Sequence, residues 1–200
     1  MLQLRSLVLT VSAVTLVSVG CTTTITPGDA TTASSTPVST MQTSPTATNT
    51  LPGPHPPPNE NNNGTSFDPC LAYSADELKS WGVAPGSVED VGAKDNVQRG
   101  CTWKGDGWEV QQLVVNRSID EFLDQTLFPG AWTVSIGGLT AALHRFPPDD
   151  MTVCYVELPS ERATVGTIVG INSLQAQRET PDACPRAISI ATDTAKKLPK

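Results

Sequence analysis

The stretch WTVSIGGLTAALHRFPPDDMTVCYVELPSERATVGTIVGI, residues 132–171, decides the predicted fold. It holds four runs rich in β-branched and apolar residues, and turn residues separate them. The predicted strands are residues 132–136, 139–146, 151–158 and 163–171, joined by Gly137-Gly138, PPDD (147–150) and PSER (159–162). Connections this short require antiparallel pairing, because parallel neighbours need a long crossover. The stretch therefore predicts an antiparallel sheet.

A β-hairpin is predicted upstream of this stretch. Cys101 and Trp103 stand two residues apart in CTW, so a strand places both side chains on the same side of the sheet. KGDG (104–107) is a turn signal, and residues 108–116 alternate as the partner strand. Residues 83–100 carry Gly, Pro, Asp and Asn without periodicity and are predicted to form a loop.

Three helices complete the predicted domain. Two begin at capping boxes, formed by Ser74 with Glu77 and by Ser118 with Glu121. The first is predicted to end at Gly82 and the second, with Ile119, Phe122, Leu123 and Leu127 at helical spacing, at Pro129-Gly130. The third lies within residues 182–198, with an apolar stripe of Cys184, Ala187, Ile188, Ala191 and Leu198. The fold class is therefore α+β, with an antiparallel β-sheet packed against about three α-helices.

The N-terminus is predicted to be a signal peptide, residues 1–20. It has one cationic side chain, Arg5, and an apolar stretch that is too short and too polar to stay in a bilayer as a helix. The seam VSVGC (17–21) resembles the bacterial lipobox. That resemblance implies cleavage before Cys21 and a diacylglyceryl and N-acyl anchor on Cys21. The alternative is a plain secretory signal cleaved elsewhere, because Ser18 stands where lipoboxes usually carry Leu.

A linker is predicted to follow, so that residues 21–66 comprise the lipidated Cys21 and a disordered tether. Residues 22–66 contain 13 Thr, 8 Pro and 5 Ser but no Lys, Arg or aromatic residue. Such a composition buries too little apolar area to offset the entropy of ordering. The folded domain is accordingly predicted as residues 67–200, His55 is interpreted as a solvated linker residue, and the Thr/Pro density suits O-glycosylation.

The other four cysteines all fall in the predicted domain: Cys70, Cys101, Cys154 and Cys184. An even set in an exported chain indicates disulfides in an oxidising compartment. Three pairings are possible, and we favour Cys70 with Cys101 and Cys154 with Cys184, since each closes a loop of about 30 residues. A four-thiol zinc site is the alternative, although no pair has the short spacing such sites normally use.

Patterns typical of catalysis, cofactor binding and metal binding are absent from the sequence. It holds no G-x-S-x-G, H-E-x-x-H, P-loop or dinucleotide-binding pattern. His144 is interpreted as a structural or surface residue of a strand, and Asp149-Asp150 as part of a solvated turn. The net charge of −7 and the lack of a basic stripe exclude nucleic acid as an expected partner. We therefore predict no cofactor, no metal and no enzymatic activity.

Several short motifs resemble those of a family of actinobacterial lipoproteins of unknown function. They are DPC (68–70), CTW (101–103), IGGLTAA (136–142), TVCYVEL (152–158) and CPRAI (184–188) followed by a terminal helix. The resemblance spans nearly the whole predicted domain. It implies a lipid-anchored envelope protein with two disulfides and no established activity.

Two functional hypotheses follow from the sequence. The first is a non-catalytic lipoprotein, held on the outer side of the cell membrane by Cys21, that presents its domain to an envelope protein or a cell-wall component. The second is a carrier of a small apolar or lipidic molecule. Its pocket would lie between the sheet and the apolar faces of the helices predicted at residues 118–128 and 182–198.

Overall fold

The computed structural model describes residues 55–94 and 96–199. The predicted signal peptide, Cys21 and the linker up to residue 54 lie outside the described residues, and so does the O-glycosylation expected there. Within the described part no helix is long and apolar enough to cross a membrane.

Seven strands form one antiparallel sheet. They are β1 (Glu89–Asp90), β2 (Arg99–Lys104), β3 (Trp108–Val115), β4 (Trp132–Ile136), β5 (Leu139–His144), β6 (Val153–Ser160) and β7 (Ala163–Ile171). Their order across the sheet is β1-β2-β3-β7-β6-β5-β4. The four strands predicted between residues 132 and 171 are confirmed, as are their antiparallel pairings. The last of them, β7, also pairs with β3 and joins the hairpin to the rest of the sheet.

The first two helices begin at the predicted capping boxes. Helix α1 (Ala75–Trp81) starts at Ser74 and ends at Gly82, which takes the left-handed conformation. Helix α2 (Ile119–Phe122) starts at Ser118 but ends far short of Pro129, so its predicted length is wrong. The side chain of Asp124 instead accepts hydrogen bonds from the backbone N–H and the hydroxyl of Thr126. These local bonds offer the backbone an alternative to the next helical turn.

Two helices follow the last strand. Helix α3 (Leu174–Glu179) was not predicted; Ser173 caps it by accepting a hydrogen bond from the Ala176 N–H. Helix α4 (Cys184–Ala195) is the predicted terminal helix. It lies against β6 and β7 and buries Cys184, Ala187, Ile190 and Ala191. The sheet residues that share this core include Val156, Leu158, Val165 and Val169.

Both disulfides lie in the core on the α4 face of the sheet. They join Cys70 to Cys101 and Cys154 to Cys184, which is the favoured pairing. The second ties the first turn of α4 to the start of β6. All four sulfur atoms are thereby used, which leaves no thiolate for the alternative zinc site.

The end of the predicted linker is part of the folded domain. Asn62, Gly64 and Thr65 are buried, and the Arg99 guanidinium donates hydrogen bonds to the carbonyl oxygens of Asn62, Thr65 and Phe67. A domain boundary at Phe67 is therefore corrected toward the N-terminus. The composition of residues 59–66 does not predict this order, because the hydrogen bonds to their backbone come from side chains elsewhere in the chain.

Asn116 provides the second set of those hydrogen bonds. Its side-chain oxygen accepts a hydrogen bond from the Gly64 N–H, and its amide nitrogen donates to the Glu60 carbonyl and to the Asn63 side chain. The segment of residues 59–66 thus runs across the ends of strands β2 and β3. Arg99 and Asn116 hold it there, and the β6–β7 turn adds hydrogen bonds through Ser160, Glu161 and Arg162.

Candidate ligand-binding pocket

The sheet has two different faces. Along β6, Cys154, Val156 and Leu158 point into the core under α4, so the alternating residues Tyr155 and Glu157 point to the opposite face. That second face is only partly covered, by α2 and the loop that follows it. A pocket of about 220 Å³ lies there. It is lined by Val97, Gln98, Leu113, Val115, Arg117, Phe122, Phe128, His144, Tyr155, Glu157, Gly166 and Ile168.

The location of this pocket corrects one prediction. Residues of the 118–128 segment do line it, but the terminal helix does not, because α4 packs on the other face of the sheet. The two apolar helix surfaces are separated by the sheet itself, and they cannot enclose one cavity between them.

Two polar side chains are buried at the floor of the pocket. His144 is 2% exposed and Glu157 is 4% exposed. The strand register places them near each other. His144 on β5 pairs with Tyr155 on β6, and Glu157 lies two residues after Tyr155 on the same strand. His144 Nε2 lies 3.7 Å from Glu157 Oε1, which is within ion-pair distance but too long for a hydrogen bond. Neither ring nitrogen of His144 has a hydrogen-bond partner among residues 55–94 and 96–199.

Aromatic rings surround the imidazole of His144. The Tyr155 ring stacks on it with a centroid distance of 4.6 Å and an interplanar angle of 10°. The Phe128 and Phe122 ring centroids lie 4.7 Å and 5.9 Å from the imidazole. Burial first, and the charge of Glu157 second, raise the pKa of the Tyr155 phenol. His144 is thus a buried pocket residue, and a surface role for it is excluded.

Gly166 makes room for the Glu157 side chain. The two residues are paired on β6 and β7, and a Cβ atom at position 166 would lie 2.7 Å from Glu157 Oε2. Only a residue without a side chain leaves the carboxylate its present place on the sheet. The glycine is therefore an element of the pocket.

Glu157 and its neighbours were missed at the level of sequence. The available signal was a charged residue between two apolar ones, Val156 and Leu158, in a strand whose other face is buried. Such a residue indicates either an exposed sheet face or a buried polar site. Period-two alternation alone does not distinguish the two possibilities.

His55 is ordered rather than solvated. Its Nε2 lies 3.3 Å from Asp68 Oδ2 and its Nδ1 lies 4.0 Å from Asp90 Oδ2. The sulfur of Cys70 is also close to His55 and Asp68. That sulfur is bonded to Cys101 and is no thiolate ligand, so the group does not form a three-ligand metal site.

The Asp149-Asp150 pair lies in a turn, as predicted. Asp149 is exposed, and Asp150 accepts hydrogen bonds from the backbone N–H and the hydroxyl of Thr152. These bonds lower the pKa of the Asp150 carboxyl. The two residues therefore form part of the turn between β5 and β6, where Asp150 bonds to Thr152.

The fold and the pocket define an antiparallel α+β domain in which α4 covers one face of the sheet and the pocket lies on the other. A family model described as a protein of unknown function, DUF3558, matches residues 16–197. The chain belongs to this family. The comparisons with curated proteins and with solved structures found no match.

Proposed function

We propose that this protein is a lipid-anchored protein of the cell envelope whose domain binds a small, mostly apolar molecule in the pocket beside α2. One observation carries the proposal: His144 is buried among aromatic rings beside the buried Glu157, and no described residue hydrogen-bonds its imidazole. Of the two functions raised by the sequence, the pocket favours the carrier.

The unpaired polar groups are the physical reason to expect a ligand. A buried polar atom without a partner costs about 1–3 kcal/mol, so such atoms persist where something else satisfies them. Ligand sites combine an apolar lining with a few convergent polar groups, and this pocket has both. Its volume of about 220 Å³ exceeds that of apolar cavities of roughly 150 Å³ that bind benzene. A ligand with one aromatic ring and a short polar substituent fits that space.

Binding without catalysis is the proposed activity. Among the described residues that line the pocket there is no serine, threonine or cysteine to act as a nucleophile beside His144. Proteins that carry a ligand need only to bind and release it.

The anchor is proposed at Cys21. Support comes from the VSVGC seam, from the order of motifs, which resembles that of the mycobacterial lipoprotein LprB, and from the cysteine count, since Cys21 is the one cysteine outside the two disulfides. Each buried methylene of an acyl chain contributes about 0.8 kcal/mol, and two or three chains hold a protein stably on a membrane. The tether then places the domain away from the bilayer, on the outer side of the cell membrane.

The anchor predicts a change of phase on mutation. Wild-type protein from its host is expected in the detergent phase when a Triton X-114 extract is warmed, and the Cys21→Ala variant is expected to lose the mature lipidated form from that phase. Globomycin, which inhibits the lipoprotein signal peptidase, should make the precursor accumulate. Unchanged processing in globomycin would contradict the anchor and leave the proposed pocket untouched.

The pocket predicts a retained ligand. Native mass spectrometry of the full mature chain, purified from its host in detergent, is expected to show a non-covalent mass of a small molecule beyond the acyl chains. A chain that carries no such mass under gentle conditions would count against the carrier function.

A second function, the interaction module, is favoured by a different observation. Trp132, Phe146 and Met151 are exposed, and all three lie where strands β4, β5 and β6 begin or end at one side of the sheet. Exposed large apolar side chains mark many protein contacts. An empty pocket, together with an envelope protein or cell-wall fragment crosslinked through Trp132 or Phe146, would favour this function over the carrier.

A further inference from the structure

We infer that the pocket selects molecules that carry an ammonium group, with Glu157 as the counter-ion and the aromatic rings as the walls around the cation. This inference rests on the proposed ligand-binding function and names the chemical class of the ligand. It depends on three features of the site: a carboxylate that no described residue hydrogen-bonds, an imidazole beside it, and three aromatic rings that line the same pocket.

The carboxylate of Glu157 lacks donors of its own. Among the described residues none donates a hydrogen bond to it, and the nearest cationic candidate is His144 at 3.7 Å. Arg117 also lines the pocket, but it is exposed and forms no ion pair with Glu157. A carboxylate taken out of water is stabilised by donors or by an opposite charge, and a cation bound in the pocket would supply the hydrogen bonds that His144 at 3.7 Å does not.

One nitrogen can contact His144 and Glu157 at once. At 3.7 Å their nearest atoms are too far apart for a hydrogen bond and too close to admit an atom between them, but an atom placed beside both can reach each of them. An ammonium group carries three donors. It can direct one to Glu157 Oε1 and a second to His144 Nε2. Charge-assisted bonds of this kind are about 2.7–2.9 Å long and are roughly twice as strong as neutral ones.

Aromatic rings line the same pocket as Glu157 and favour a positive charge there. They belong to Phe122, Phe128 and Tyr155. Ring faces attract cations, by about 2 kcal/mol or more where water is excluded. A carboxylate in the same position would face Glu157 as a like charge. The site therefore discriminates between ligands of opposite charge.

The test uses three probes of one shape and different charge: benzylamine, benzyl alcohol and benzoate. Each is titrated into the full mature chain in detergent, and binding is followed by the methyl resonances of Leu113 and Ile168, which line the pocket. Benzylamine is expected to bind at least about tenfold more tightly than benzyl alcohol, and benzoate most weakly. These methyl groups separate binding in the pocket from partition into the micelle.

The variant that tests the counter-ion is Glu157→Gln, which keeps the shape and removes the charge. It is expected to lower the affinity for benzylamine to that for benzyl alcohol, while the affinity for benzyl alcohol changes by less than about threefold. The matched control is Glu179→Gln, an exposed carboxylate on α3, which should keep the wild-type order. If Glu157→Gln does not fold, the order of the three probes in the wild type decides the question.

The outcomes separate this inference from the proposed function. Equal affinity for amine and alcohol, tightest binding of benzoate, or a preference for the amine that survives in Glu157→Gln would overturn the ammonium selectivity and leave the pocket standing. If none of the three probes shifts the Leu113 and Ile168 resonances at millimolar concentration, the pocket and its selectivity are both contradicted.

Discussion

Replacing Cys154 and Cys184 together by alanine is expected to lower the free energy of unfolding by about 3–4 kcal/mol. The bond between them spans 30 residues, and its loss frees the unfolded chain to explore many more conformations. It also removes the covalent link between α4 and the start of β6. Urea denaturation of the purified variant and wild type, followed by tryptophan fluorescence, measures the difference.

The matched control is the pair Cys70→Ala and Cys101→Ala, whose bond spans 31 residues. The two disulfides close loops of nearly equal length, so they restrict the unfolded chain to a similar extent. The control variant should therefore lose a similar free energy of unfolding. Both disulfides lie on the α4 face of the sheet, and ligand binding on the other face should persist wherever the variants remain folded. A loss below about 1 kcal/mol for the Cys154–Cys184 pair would show that α4 is held by packing alone.

Replacing Arg99 by methionine is expected to cost about 3 kcal/mol and to release the segment of residues 59–66. The guanidinium donates three hydrogen bonds, of 2.9, 2.9 and 2.7 Å, to carbonyl oxygens of that segment and of Phe67. Methionine fills the volume but leaves the three oxygens without donors. Amide hydrogen exchange should accelerate at Asn62 and Gly64, whose N–H groups donate hydrogen bonds to Asn59 and Asn116 in the wild type.

Two further substitutions sharpen the Arg99 prediction. Arg99→Lys keeps the charge but not the forked geometry, so it should recover only part of the lost stability. Arg178→Met, on the exposed side of α3, should leave both stability and exchange unchanged. Exchange at Asn62 and Gly64 as slow in Arg99→Met as in the wild type would contradict the account of how this segment is held.

The parts of the fold that the sequence predicts are those with local causes. The capping boxes at Ser74 and Ser118 set where α1 and α2 begin, because the bonds join residues three apart. Turn residues and alternation likewise locate the strands between residues 132 and 171. The preference for the two disulfides that each close a loop of about 30 residues agrees with the pairing in the structure.

The parts that sequence reasoning missed depend on distant partners. Strand β7 pairs with β3 about 50 residues earlier, and nothing near either strand specifies that pairing. Residues 59–66 look like linker because their own side chains form no core, yet Arg99 and Asn116 supply the missing donors. Helix α2 is shorter than predicted because the Thr126 N–H donates to the Asp124 side chain, and this hydrogen bond competes with a further helical turn.

The pocket could be predicted only in part. The sequence shows His144 as the one histidine of the predicted domain. Its environment depends on the strand register, which pairs it with Tyr155, two residues before Glu157 on β6. Gly166 carries no signal of its own, because a glycine within a strand is equally consistent with a bulge. Its role appears only once Glu157 is seen to occupy the space above it.

The central claim is that a small molecule occupies the pocket over Gly166, and one comparison tests it most directly. Native mass spectrometry is applied to wild type, Gly166→Ala and Gly86→Ala, each purified from the host as the full mature chain. A methyl group at 166 would lie 2.7 Å from Glu157 Oε2 and would force the carboxylate to move, whereas one at 86 meets no described atom within 4 Å. We expect the retained small-molecule mass in wild type and Gly86→Ala, and its loss in Gly166→Ala. The same retained mass in all three proteins would place the ligand elsewhere, and its absence from all three would contradict the carrier.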